Sequence, residues 1–153
     1  IAASERVEIL SISSLLPELQ HLDDTRLKEY IPKISKYVLS EDIYVRRWGY
    51  VMFISHKNRD NKEFCTNILS LIKSDDELTI QMAEGWLLCE LAIFNPDIVY
   101  NFLKASNVRY KVKSWAISKI QDSYRISDDV KAKFKQLRLD YYESIKSNNL
   151  KEL

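Results

Sequence analysis

Apolar residues recur every three or four positions along almost the entire chain, the spacing that places them on one face of an α-helix. Only two glycines and three prolines interrupt this pattern in 153 residues. Hairpins, β-sandwiches and the loops that cradle nucleotide phosphates all need more glycine than that. The sequence therefore predicts an all-α protein and excludes Rossmann and P-loop nucleotide enzymes.

The periodic segments predict about eight helices joined by short polar turns. We place them near residues 5–16, 25–39, 42–56, 60–73, 76–94, from 96 onward, 108–123 and 128–147. The sixth helix has the clearest start, because Asn95 is a preferred N-cap residue and Pro96 suits the first helical position. Asp128 and Asp129 favour the start of the last helix through the positive end of its dipole.

Related short sequences recur where one predicted helix ends and the next begins. Ser40, Ser74 and Ser106 occupy these turns at intervals of 34 and 32 residues. A period of this length is typical of stacked helix pairs such as HEAT or TPR repeats, because a single pair cannot bury its own apolar face. Gly49 and Gly85 fall inside helices at matching positions of the repeat. Close helix–helix approach would offset their cost of about 1 kcal/mol each relative to alanine.

The repeat predicts one domain. We expect residues 1–153 to form a single HEAT-like helical repeat domain, an α-solenoid of antiparallel helix pairs (HEAT/ARM-like repeats). With 46% apolar and 29% charged residues, the chain has the composition of a soluble globular protein. Its first residues, Ile1–Ser4, include neither a methionine nor a signal-peptide pattern, so we expect a trimmed or partial chain.

The charges are distributed unevenly, although the formal net charge is only +1. Residues 60–103 contain two basic and eight acidic side chains, whereas residues 104–138 contain ten basic and three acidic ones. A basic concave face with interleaved tryptophan and tyrosine can hold a phosphate backbone. The alternative is that these lysines form an ordinary solvated helix face.

The residues that would bind metals or form disulfides are few. Cys65 and Cys89 have no metal-site spacing, and we expect buried, reduced thiols in a cytoplasmic protein. His21 and His56 have no second ligand one helical turn away, so we predict no metal and no cofactor. No apolar run approaches the length of about 18 residues that a membrane span requires. We expect a monomer without a membrane partner.

Two segments carry charged or aromatic side chains in otherwise apolar helices. In Tyr44–Tyr50, Arg46 and Arg47 point about 100° apart around the helix axis, so one can face a groove while the other is solvated or paired. Further along, Trp86 and Glu90 lie one turn apart on the same face. Such a pair has two interpretations. The tryptophan can be a core residue and the carboxylate a surface residue, or the two can form a binding site in which an aromatic wall lies next to a carboxylate that stabilises positive charge.

A third segment, Trp115–Ser127, places Lys119, Asp122 and Arg125 at a helix end, where the hydrophobic pattern does not account for three charged side chains. In order and spacing, the three segments resemble the DNA alkylation repair family, the HEAT-like-repeat alkylpurine DNA glycosylases of the AlkD type. The similar stretches are the arginine-bearing helix start Val45–Trp48, the Ala-x-x-Trp-Leu-Leu-x-Glu helix Ala83–Glu90 and the closing signature Ala116–Ser127, within residues 22–140.

This resemblance implies a C-shaped solenoid whose concave basic face binds alkylated duplex DNA. Enzymes of the family release N3- or N7-alkylated purines, whose positive charge already weakens the glycosidic bond. Aromatic faces and one carboxylate then stabilise an oxocarbenium-like sugar. Trp86 matches one aromatic wall, and with Glu90 it forms our pair of catalytic candidates. Our DNA-binding candidates are the basic residues Arg46, Arg47, Lys111, Lys113, Lys119 and Arg125.

The sequence departs from the family pattern at two places. The AlkD branch has an arginine three residues after the tryptophan, and Cys89 stands there instead. The family's catalytic carboxylate lies upstream in a Trp-x-x-x-Asp segment, but residues 7–16 contain neither tryptophan nor aspartate, and Glu8 is their only acid. The N-terminal repeats of the family that would precede this segment are also absent, so we expect either a fragment or a member that has lost the family's chemistry. We therefore expect no appreciable release of 7-methylguanine or 3-methyladenine.

A second function class stays open. Many helical solenoids are non-enzymatic scaffolds whose groove binds a protein or peptide. The acidic middle of the chain and the missing upstream acid favour a scaffold, whereas the basic segment and the closing signature favour DNA. The position of the lysines and arginines in the folded protein should distinguish the two.

Overall fold

The structure is a computed structural model that describes residues 24–54 and 57–148. Within these ranges it contains seven α-helices, one short 3-10 helix and no strand, so the predicted all-α class is confirmed. In chain order the elements are α1 (Asp24–Val38), α2 (Ile43–Ile54), the 3-10 helix (Lys57–Asp60), α3 (Lys62–Leu69), α4 (Leu78–Phe94), α5 (Pro96–Ala105), α6 (Tyr110–Asp122) and α7 (Asp128–Ser147). The helix predicted near residues 5–16 lies outside the described residues, as do Glu8, His21 and His56.

Most helix ends fall within two residues of their predicted positions, and α3 is the exception. It is shorter than the predicted segment 60–73 at both ends. Asn61 caps its start, because the side chain accepts a hydrogen bond of 2.9 Å from the amide of Phe64. After Leu69 the amides of Leu71 and Ile72 bond to carbonyls three residues back, and this tighter turn ends the α-helix.

The helices pack in two rows. Helices α2, α4 and α6 lie side by side, with α4 in contact with both neighbours, and we name them the front row. Helices α1, α3, α5 and α7 form the back row, in which α1 packs on α2, α5 on α4 and α7 on α6. Successive helix pairs therefore stack along the chain, which gives the solenoid-like arrangement expected from the repeat.

A continuous hydrophobic core fills the space between the two rows. Phe53 and Phe64 meet edge to face at 6.1 Å, and Tyr100 and Phe134 do so at 5.7 Å. The two cysteines are free and buried within this core, as predicted. Burial raises the pKa of both thiols to about 11, so they are protonated at neutral pH.

Both glycines lie where two helices approach closely, as the repeat predicted, but the partners differ. A β-carbon on Gly49 would lie 2.9 Å from the backbone nitrogen and Cγ2 of Val38, within the α1–α2 pair. A β-carbon on Gly85 would lie 3.2 Å from Cβ of Trp115, between front-row neighbours α4 and α6. Gly49 thus tightens one helix pair, whereas Gly85 sets the spacing between consecutive pairs.

The junction between α4 and α5 has the predicted boundary but a different capping arrangement. Pro96 is the first residue of α5, as expected. The Asn95 side chain makes no capping bond and instead donates a hydrogen bond of 2.7 Å to the Arg59 carbonyl. Its backbone amide bonds to the Leu91 carbonyl at 2.8 Å and ends α4. Asn95 is therefore the N-cap residue of α5, as predicted, since its carbonyl accepts a hydrogen bond of 3.1 Å from the Val99 amide. Its side chain, instead of capping, joins the two helices to the 3-10 turn.

Candidate nucleic-acid interface

The central helix of the front row exposes an apolar stripe. Leu78, Met82 and Trp86 follow each other at four-residue spacing along α4, and their side chains are 50%, 54% and 42% exposed. Residues four apart lie on one helix face. An aligned stripe of large exposed apolar side chains marks an interaction surface, unlike apolar residues scattered singly over a surface.

Basic residues flank this stripe on both neighbouring helices. Arg47 is exposed on α2, and Lys111 and Lys119 are exposed on α6. The Lys111 ammonium lies 5.0 Å from the ring centroid of Trp115, which keeps this lysine beside an aromatic surface. We use the name front face for the surface formed by the α4 stripe together with these cations and Trp115.

Among the residues that the structure describes, three cavities border the front face: one of about 680 Å³ lies beside Leu78 and Lys111, and Trp86 borders the other two. The first of these two, which we call the central cavity, has a volume of about 330 Å³. Its lining includes Arg47, Met82, Ala83, Trp86, Trp115, Ser118, Lys119 and Asp122. The second, which we call the end cavity, has a volume of about 360 Å³ and is also lined by Glu90, Tyr124 and Arg125. Trp86, Lys119 and Asp122 are common to the two cavities.

The two adjacent arginines have different environments. Arg46 forms a bidentate pair with Asp75, at 3.1 and 3.3 Å, and its remaining guanidinium nitrogen donates to the carbonyls of Ser40 at 2.9 Å and Glu41 at 3.2 Å. These bonds fix α2 to the turn before α4 and use every guanidinium nitrogen. Arg47 is exposed and lines the central cavity. Of the two, Arg47 is therefore the one that can meet a ligand.

Lys113 does not belong to the front face. Its side chain is only 5% exposed, and its ammonium donates a hydrogen bond of 2.9 Å to the Ser106 carbonyl. The same ammonium lies 3.9 Å from the ring centroid of Tyr141 on α7. Burial between α6 and the back row gives Lys113 a structural contact, and we remove it from the predicted DNA-binding set.

Glu90 is held by two arginines. Its Oε2 lies 2.5 Å from Nη1 of Arg59, and its Oε1 lies 2.8 Å from Nη2 of Arg125. Arg59 also donates to the Ile54 carbonyl at 2.9 Å and lies over the Phe94 ring. The carboxylate therefore ties the 3-10 turn to the segment between α6 and α7, with its charge offset on both oxygens. Arg125, 41% exposed, stays at the rim of the end cavity.

A buried acid that was not among the predicted site residues, Glu84, lies behind the front face. Glu84 is 0% exposed; its Oε1 accepts a hydrogen bond of 3.2 Å from the Tyr50 hydroxyl, and its Oε2 has no partner. Burial raises the pKa of Glu84 to about 8, against a smaller lowering by the Tyr50 bond. The signal in the sequence is a single glutamate on an otherwise apolar turn of α4.

Asp122 was predicted to lie at a helix end, as it does, but it was not among the candidate site residues. It is the last residue of α6, and its exposed side chain lines both cavities beside Trp86. Among residues 24–54 and 57–148, no group of three or more histidine, cysteine or acidic side chains is placed to hold a metal ion. No helix in this described part of the chain is long and apolar enough to cross a bilayer.

Comparison with known proteins agrees with the resemblance found in the sequence. Residues 19–119 match the family model of the DNA alkylation repair enzyme. The match extends through α1–α5 and most of α6, and it includes Arg47, Trp86 and Lys119. No curated protein and no solved structure matches the chain significantly. Because the matched residues make up well over half of the sequence, the chain belongs to the DNA alkylation repair enzyme family.

Proposed function

We propose that this protein binds duplex DNA with its front face and acts there on alkylated purines. The observation that carries the proposal is the α4 stripe ending at Trp86, which lies between exposed Arg47 on one side and exposed Lys111 and Lys119 on the other. Cations on both sides can follow two phosphate strands, while apolar and aromatic side chains contact sugars and base edges between them.

The proposed chemistry is hydrolysis of the N-glycosidic bond of an N3- or N7-alkylated purine. Family membership supports this reaction class, and the half-exposed ring of Trp86 supports an aromatic wall beside the sugar. An aromatic face attracts a developing positive charge, and a preorganised anion does so more strongly. Glu90 is poorly suited to stabilise the positive charge on the sugar, because two guanidinium groups already offset its own charge.

A scaffold that binds a peptide is the second candidate, and one observation favours it. Five of the ten basic residues between positions 104 and 138 lie on α5 and α7 in the back row: Lys104, Lys131, Lys133, Lys135 and Arg138. The net positive charge of this segment is thus shared between the two rows. A peptide bound along the α4 stripe would depend on Met82 and Leu78, and its binding would change little when Arg47 and Lys119 are replaced.

Salt dependence of binding tests the proposal. Three front-face cations that each neutralise one phosphate predict a slope of log K against log salt of about −2.7, from about 0.9 per phosphate. Affinity for an unmodified duplex should then fall by about 40-fold between 50 and 200 mM salt. Fluorescence anisotropy with a labelled duplex measures this change. Absence of binding at low salt, or an affinity that does not respond to salt, would leave the scaffold as the better account.

A further inference from the structure

We propose that Asp122, and not Glu90, is the carboxylate that acts on the substrate beside Trp86. This inference rests on the proposed function, since it names the acid of the same site. It also departs from the expectation of no base release, which followed from the absence of aspartate in residues 7–16. An acid at the end of α6 would supply a carboxylate in place of the aspartate that those residues lack.

The position of Asp122 is the first argument. It lines both cavities that meet at Trp86, together with Lys119 one turn earlier on α6. Trp115, two turns before Asp122 on the same helix, borders the central cavity as well. A substrate sugar placed against Trp86 from either cavity would therefore lie next to the Asp122 carboxylate.

The availability of Asp122 is the second argument. Its exposed side chain has no hydrogen bond or ion pair to any of the residues that the structure describes. Glu90 borders the end cavity too, but Arg59 and Arg125 hold its two oxygens at 2.5 and 2.8 Å. To face a cationic sugar, Glu90 would have to give up charge-assisted hydrogen bonds, whereas Asp122 would give up only water.

The reaction balances with these groups. The bond between C1′ and the alkylated purine breaks, and its electron pair goes to the purine, which leaves as a neutral base. The positive charge that develops on the sugar lies between the Trp86 ring and the Asp122 carboxylate. A water oxygen bonds to C1′, and the proton that it loses passes to Asp122 and then to solvent. The products are the free base and an abasic deoxyribose.

Base release from a methylated duplex containing 7-methylguanine tests this assignment, with the same duplex incubated without protein as the baseline. The full chain should release base above that baseline. Asp122→Asn should lower the rate by about 100- to 1,000-fold, the usual effect of removing one electrostatic partner of the transition state. Duplex affinity of this variant should be unchanged or higher, because a negative charge has left a DNA-binding face.

Two matched variants separate a catalytic role from a structural one. Asp129→Asn makes the same change at an exposed acid in the first turn of α7, outside both cavities, and should leave base release unchanged. Glu90→Gln should lower the midpoint of thermal unfolding, because it loosens Arg59 and Arg125, and the variant that remains folded should retain most of its base release.

Base release that Asp122→Asn retains, or that Glu90→Gln abolishes in folded protein, would overturn the assignment of Asp122. Duplex binding without any base release by the unmodified chain would also overturn it, while leaving the DNA-binding proposal intact. Failure of the unmodified chain to bind duplex DNA would remove both.

Discussion

Burial of Glu84 makes the stability of this protein dependent on pH in a defined window. The ordinary pKa of 4.5 rises to about 8 in the folded protein because the carboxyl group is buried between front-row helices. Below pH 4.5 both the folded and unfolded states hold the proton. Between pH 4.5 and about 8 only the unfolded state releases it, so stability that is fully present at acidic pH is lost as the pH rises.

The size of this pH dependence follows from the change in the pKa of Glu84 on folding. Each pH unit within the window removes about 1.4 kcal/mol from the free energy of unfolding. Between pH 5 and pH 8 Glu84 alone should therefore remove about 4 kcal/mol, a large part of the 5 to 15 kcal/mol typical of a domain. Glu84→Gln retains an oxygen that can accept from the Tyr50 hydroxyl and removes the titration.

Urea denaturation followed by circular dichroism at pH 5, 6.5 and 8 measures the difference between the two proteins. Their free energies of unfolding should be similar at pH 5, and the variant should be more stable by several kcal/mol at pH 8. Glu143→Gln, at an exposed position of α7, is the matched control and should follow the unmodified protein. Parallel stability curves for the unmodified protein and Glu84→Gln would refute the assignment of a raised pKa.

Two further predictions concern contacts that α2 and α4 make with neighbouring parts of the fold. Gly49→Ala should lower the free energy of unfolding by about 1–3 kcal/mol, because its new β-carbon would lie 2.9 Å from the Val38 backbone nitrogen. Gly85→Ala should lower it by less, because its nearest contact is 3.2 Å. Thermal unfolding of the two variants measures this difference. Arg46→Ala should also lower stability by about 1–3 kcal/mol, because Asp75 loses a bidentate partner, while the salt slope of duplex binding stays the same. Equal unfolding midpoints for the two glycine variants, or a reduced salt slope for Arg46→Ala, would contradict these assignments.

The helices themselves could be predicted from the sequence, because apolar spacing and turn residues are local signals. Pro96 placed the start of α5, and the polar turns placed both ends of α4 and α6 within two residues of their observed positions. Helix α4 was predicted as a helix but not as the centre of the front row. It packs against α2, α5 and α6, and a helix covered on several sides has no clear polar face to indicate its orientation.

The partners of the charged side chains could not be predicted in the same way. Helix geometry predicted that Arg46 and Arg47 have different environments. It could not predict which of them is paired, because Asp75, the partner of Arg46, lies 29 residues away in the sequence. Glu90 and Arg125 are 35 residues apart and meet only because α4 and α6 are neighbours. Ion pairs between residues this far apart leave no local pattern in the sequence. They determine which of the candidate site residues are free to contact a ligand.

The most direct test of the account is the contribution of individual front-face cations to duplex binding. Arg47→Ala and Lys119→Ala should each weaken binding to an unmodified duplex and reduce the magnitude of the salt slope by about 1. Lys135→Ala, which removes an exposed lysine from the back row, should change neither the affinity nor the slope. Anisotropy titrations of the three variants at several salt concentrations give both quantities. Equal losses in all three variants, or a loss confined to Lys135→Ala, would contradict the assignment of the front face as the DNA-binding surface.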